Sequence, residues 1–189
     1  MLNKLDSHSS PTIQQIAASF RRIGRIGFWV QLGLGVSSAL VLLFAFADPN
    51  FNLKASDPMS RSGLFFATTG LILLGLSIYW AFRYTRIAKQ LQAANPVTHP
   101  KKADVIHTLR QGLILNSVGM FLTLLGVEAI VGTLIGKSLT QVQGLALYNV
   151  SQLIEPLDMF VVQANINMIA AQFVGAIMSS WLISRVNHH

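Results

Sequence analysis

Long apolar runs, separated by short basic or mixed segments, set the pattern of this chain. A bilayer core of about 30 Å takes roughly 20 mostly apolar helical residues to cross, and four runs reach that length. Residues 27–47 and 63–82 contain no charged side chain, 112–135 contain only Glu128, and 157–183 carry Asp158 at the edge with several amides behind it. The pattern predicts four transmembrane helices over these ranges.

The flanks follow from periodicity. Between residues 11 and 26, Ile13, Ile16, Phe20 and Ile23 recur at helical spacing while Arg21, Arg22 and Arg25 supply charge, which predicts an amphipathic helix lying on the membrane surface. Residues 138–154 hold no charge, and their apolar positions again share one helical face. That outer loop is expected to lie in the interface or re-enter the membrane. Pro96 and Pro100 punctuate the loop after the second span, whose helix should continue to about Leu91. The expected fold is therefore an all-α integral membrane protein: an N-terminal segment over 1–26, a four-helix membrane domain over 27–183 and a tail over 184–189.

Composition agrees and removes alternatives. The chain is 52% hydrophobic and only 11% charged, with a mean hydropathy of +0.51, whereas about a quarter of a soluble domain is charged. The formal charge of +7 is explained by position. Lys4, Arg21, Arg22, Arg25, Arg83, Arg86, Lys89, Lys101, Lys102, Arg110 and Arg185 fall on one side of the four spans, and Lys54, Arg61 and Lys137 on the other. Short Lys/Arg-rich loops stay cytoplasmic, so both termini are expected there, or on the equivalent stromal side. The excess is topology, and nucleic acid is not an expected partner. Ala45-Phe46-Ala47 looks like a signal-peptidase site, but the apolar run before it is too long for a secretory signal, so the first span reads as a retained anchor. Ser7, Ser9 and Ser10 hint at a transit peptide, but the stretch before the helix expected near Pro11 is too short to serve as one.

Enzymatic chemistry finds little footing. There is no cysteine, which removes thiolate metal sites and thiol nucleophiles. The five histidines form no i, i+4 pair within a helix and no HExxH, and no phosphate loop or nucleophile elbow occurs. The expectation is no enzyme and no cofactor.

The polar residues inside the spans are the candidate transport pathway. Glu128 lies on the order of 10 Å below the outer end of its span, where an ionisable group marks function or a protonated hydrogen bond to a neighbouring helix. Asp158, Asn165, Gln172 and Ser179 recur every seven residues along the fourth span, Gln163 and Asn167 form an i, i+4 pair, and Gln31 and Asn116 are placed to meet the stripe from the first and third spans. Such a stripe lines a hydrated path, coordinates a hard cation through oxygen, or glues helices by amide hydrogen bonds. No metal ligand set can be named from it. Gly33-x-x-x-Ser37, Gly132-x-x-x-Gly136 and Ala171-x-x-x-Gly175-x-x-x-Ser179 are candidates for close helix packing, within the chain or between copies.

Specific motifs carry a family resemblance. Lys102-Ala103-Asp104-Val105, Leu109-Arg110-x-Gly112, Asn116-x-x-Gly119-Met120, Leu124-Leu125-Gly126, Val131-Gly132 and Leu157-Asp158-x-Phe160-x-Val162-Gln163-Ala164-x-x-Asn167 resemble a chloroplast inner-envelope family and its cyanobacterial relatives. That family is described both as a "permease in chloroplasts" and as a small subunit of the inner-envelope protein translocon. Gly27-Phe28-Trp29-x-Gln31-Leu32 resembles its first span, and Trp80-Ala81-Phe82 with Tyr84-x-Arg86 the end of its second. The resemblance implies a four-helix protein of a photosynthetic membrane, cyanobacterial plasma or thylakoid membrane for this chain. It implies movement of ferrous iron or, in the competing account, assistance to protein import, working as a homo-oligomer or within a larger complex. Plant members carry an amide near the position of Glu128, which weakens the case for that carboxylate in a shared activity.

Overall fold

The computed structural model describes residues 11–48, 58–91, 102–141, 154 and 156–187. Four helices account for nearly all of them: α1 Pro11–Ala47, α2 Pro58–Leu91, α3 Lys102–Gln141 and α4 Pro156–Asn187. Three begin on proline, whose fixed φ and missing N–H suit the first helical position. All four contain a stretch long and apolar enough to cross a membrane, so the chain is a multi-pass, all-helical membrane protein.

The helices are longer than the apolar runs. At 32 to 40 residues each they extend about 48–60 Å at 1.5 Å per residue and project beyond the hydrocarbon. One consequence corrects the reading of residues 11–26. No surface helix stands apart there: α1 is continuous from Pro11, Phe20 is fully buried, and Gly24 lies against Thr85 and Tyr84. Phe20 and Gly24 face the bundle, whereas Arg21, Arg22, Arg25 and Ile26 are exposed. The outer loop expected near 138–154 lies mostly outside the described residues, although α3 carries helix as far as Gln141.

Successive helices run antiparallel. Gly24 meets Thr85 while Gly35 meets Ile78, and Gly63 meets Ile130 while Gly112 meets Tyr84. Each helix packs on its chain neighbours, α4 closes the ring on α1, and α2 touches α4 across the diagonal. α4 is the most enclosed, with 39% of its apolar window buried against 28% for each of the others.

Burial recurs on a seven-residue period throughout. In α2 the buried positions include Gly63, Ala67, Gly70, Leu74, Ser77, Ala81 and Tyr84; in α3 they include Val105, Leu109, Gly112, Asn116, Gly119, Thr123, Gly126 and Ile130. A 3.5-residue repeat slightly underwinds the helix and gives the small crossing angles of a left-handed bundle. Two apolar clusters close its ends. Phe20, Tyr84, Ile87, Val105, Leu109, Leu182 and Val186 fill the arginine-rich end. The other extends from Leu74 and Met168 to Leu42, Ala45, Ala67, Ile130, Leu134 and Val161. Lipid is as apolar as these side chains, so the clusters hold by packing, not by expulsion of water.

Candidate functional site

A belt of polar side chains begins beside the arginine-rich cluster and continues among the residues of the other. Gln31 of α1, fully buried, donates from Nε2 to Ser77 Oγ of α2 at 3.0 Å, to the Ala171 carbonyl of α4 at 3.1 Å and, more weakly, to Asn116 Oδ1 of α3 at 3.3 Å. Ser77 donates to the same Asn116 oxygen at 2.6 Å, and the Asn116 amide nitrogen donates back to the Gly112 carbonyl at 2.8 Å. One amide thus joins all four helices. Towards the arginine-rich end, Tyr84 and Ser179 share a hydrogen bond at 3.0 Å, and Ser179 donates to the Gly175 carbonyl. Towards the other end, Gln172 donates to the Gly70 carbonyl at 3.0 Å, Thr123 donates to the Gly119 carbonyl, and Ser38 donates to the Ala164 carbonyl across the α1–α4 seam.

The belt fits because glycines on the facing helices make room for it. A Cβ on Gly175 would overlap Gln31 Nε2 and Asn116 Oδ1, one on Gly70 would overlap Thr123 Oγ1, one on Gly112 would overlap the Tyr84 hydroxyl, and one on Gly119 would come within 2.7 Å of Gln172 Nε2. Each bulky polar group enters a notch that only a residue without a side chain leaves open.

The polar candidates divide into two sets. Gln31, Asn116, Asp158, Asn165, Gln172 and Ser179 are all buried, and the seven-residue stripe on α4 is the inner face of that helix. Asp158 also lies in the first turn of α4, where a carboxylate favours the helix N-terminus. Glu128 is the correction. It is exposed on α3, one helical step away from the buried Gly126 and Val127, and does not join the polar interior. The i, i+4 pair Gln163 and Asn167 lies off the buried stripe: Gln163 is exposed, Asn167 half-buried, and they bond each other at 3.1 Å. Asn165 Oδ1 and Gln31 Oε1 are buried without a hydrogen-bond partner.

The small-residue candidates divide as well. Ala171, Gly175 and Ser179 are buried at helix contacts. Gly33 and Gly136 face open space and Ser37 is exposed, bonding only its own helix at Leu34. Gly132 is half-buried. Sequence reasoning missed Ser77, Tyr84 and Thr123 and the notches at Gly70, Gly112 and Gly119. The signal was present: Gly63, Gly70, Ser77 and Tyr84 are seven apart on α2, as are Gly112, Gly119 and Gly126 on α3.

Chemically, the belt is a network of hydrogen bonds between helices that leaves two amide oxygens, Gln31 Oε1 and Asn165 Oδ1, without a partner, and its first capability is to fix the register of four helices. Among the described residues no group of three His, Cys, Asp or Glu side chains could hold a metal ion. Among the described residues, the outward-facing polar side chains of the third and fourth spans include Glu128 and the Gln163–Asn167 pair. Because α3 and α4 are antiparallel and Gly119 faces Gln172, Glu128 and Gln163 lie at about the same depth.

The chain is 33% identical over 179 residues to "Protein TIC 21, chloroplastic" of Arabidopsis thaliana, an alignment covering 92% of this chain and 58% of that protein. The chain therefore spans little more than half the length of that relative. No solved structure matches. A family profile described as a protein of unknown function, DUF3611, matches residues 10–187, and the chain belongs to that family.

Proposed function

We propose that the protein works in transport across a photosynthetic-type membrane as one subunit of an oligomer or larger membrane complex, with the transport path at its lipid-facing surface between chains. The observation that carries this reading is the contrast between a belt closed by hydrogen bonds and apolar seals and a carboxylate, Glu128, left exposed within a membrane span. An ionisable side chain at that depth is costly against lipid. A neighbouring chain relieves that cost, and a contact that sets Glu128 of one chain against the Gln163–Asn167 amides of the next would form a hard, oxygen-rich surface suited to a divalent cation.

The cargo in this reading is ferrous iron, an assignment that rests on the family resemblance. The arginine-rich ends lie on the cytoplasmic side, by the rule that basic short loops are retained there. The second reading, a non-transporting subunit of a protein translocon, is favoured by the same sealed belt, and by the name of the Arabidopsis relative; here Glu128 is a docking contact.

Ferrous-ion entry into sealed proteoliposomes, followed by quenching of a trapped metal-sensitive dye, separates the two. Saturable entry in the wild type, reduced in Glu128→Gln at equal protein level and unchanged in Asp158→Asn, supports a path between chains. Entry lost in Asp158→Asn but kept in Glu128→Gln would return the path to the bundle interior. Entry no faster than in protein-free vesicles, with folded protein present, would favour the translocon subunit.

A further inference from the structure

A cleft of about 770 Å³ opens between α1 and α4 at the arginine-rich end, lined by Arg21, Arg22 and Arg25 from the first helix and Trp181 and Arg185 from the fourth, with Ile23 and Ile26 among its apolar members. Among the described residues no acidic side chain lines it. Four guanidinium groups around one concavity repel one another unless an anion sits among them. Their chemistry is selective: a guanidinium meets phosphate oxygens through a planar fork of N–H donors, an arrangement an ammonium cannot copy.

Two further features point to a particular phosphate. The Arg185 guanidinium stacks over the Trp181 ring at 5.1 Å, which keeps that cation over the cleft. Tryptophan beside cations is also the side-chain pairing of the membrane–water boundary. Ile26, 57% exposed on the hydrocarbon side of the arginines, gives an acyl chain a surface on which to continue. A soluble anion would use the arginines alone. A phospholipid would use the arginines for its phosphate and the apolar members for its glycerol and chain roots.

We propose that this cleft is a binding site for the phosphate headgroup of an anionic phospholipid, held by Arg22 and Arg185 across the α1–α4 seam, with Arg21 and Arg25 completing the cationic rim. Occupancy ties the end of α1 to the end of α4, beyond the reach of the polar belt. It is independent of the transport reading: a lipid that seals the seam serves a permease or a docking subunit equally.

The test is native mass spectrometry of the full chain released from mixed micelles of phosphatidylglycerol and phosphatidylcholine. Wild type is compared with Arg22→Gln/Arg185→Gln and with Arg110→Gln, an exposed arginine outside the cleft, far-UV circular dichroism verifying the fold of each. Each basic residue near an anionic surface contributes about fivefold to lipid affinity, so the double variant should lose phosphatidylglycerol preference by about 25-fold while Arg110→Gln keeps it. Equal retention of the two lipids by wild type, or the same preference in the double variant, overturns the proposal. So does an equal loss in Arg110→Gln, which would make the preference diffuse surface charge. A parallel arm adds inorganic phosphate at matched phosphorus concentration: displacement of the bound lipid there would assign the cleft to soluble phosphate instead.

Discussion

Gly175→Ala should be among the most damaging single-methyl changes in the bundle. The added Cβ would overlap Gln31 Nε2 and Asn116 Oδ1 and lie 2.7 Å from Asn116 Cγ. Neither amide can swing aside without loss, because Gln31 is held by Ser77 and the Ala171 carbonyl and Asn116 by Ser77 and the Gly112 carbonyl. Overpacking of this kind costs about 1–3 kcal/mol, and each interhelical hydrogen bond broken in a membrane adds about 0.6 kcal/mol. Helix propensity returns up to about 1 kcal/mol. The expected net loss is about 2–3 kcal/mol. Gly33→Ala is the internal control, since Gly33 has open space around its Cβ position, and should be neutral or stabilising by up to about 1 kcal/mol. Reversible unfolding in bicelles by steric trapping, or in mixed micelles by SDS titration, measures both. If the two variants agree within about 0.5 kcal/mol, the glycine notches do not hold the belt and the account of the core is wrong.

Other substitutions test the same architecture. Asn116→Leu should cost about 1–3 kcal/mol in the same unfolding assay, because it leaves Ser77 and Gln31 without their shared acceptor. Asn165→Leu should be neutral or stabilising despite equal burial, because Asn165 bonds only its own helix, at the Val161 carbonyl, and its Oδ1 has no partner to lose. Tyr84→Phe should cost about 1 kcal/mol through loss of the Ser179 bond. It should also make Gly112→Ala markedly less damaging, since the hydroxyl is the atom the new Cβ displaces; a coupling energy of zero in the double-mutant cycle would contradict this.

Much of the protein was legible in one dimension. The four spans follow from hydropathy because a bilayer imposes a minimum apolar length on any crossing helix, and the helices contain each predicted run. The inward face of α4 was legible too, because buried polar groups need partners and Asp158, Asn165, Gln172 and Ser179 repeat at a period that keeps them on one side. Rotation of the other helices was not. Lipid and bundle interior are equally apolar, so Leu42 and Leu43, neighbours in sequence, give no hint that the first is 2% exposed and the second 64%. For that reason the sequence groups Glu128 and Gln163 with the interior stripe although packing turns both outward, and Gly33 and Ser37 lie on an outer face that is left for contacts between copies. The same limit applied to the glycines. A glycine becomes a notch only when a neighbouring helix brings an amide or hydroxyl to it, as Gly175 receives Gln31 and Asn116 from two other helices. Span, length and approximate order are written in the sequence because the membrane is a solvent that reads hydropathy. The faces that meet are decided by tertiary packing, because that depends on which side chains find room and hydrogen-bond partners at the same depth.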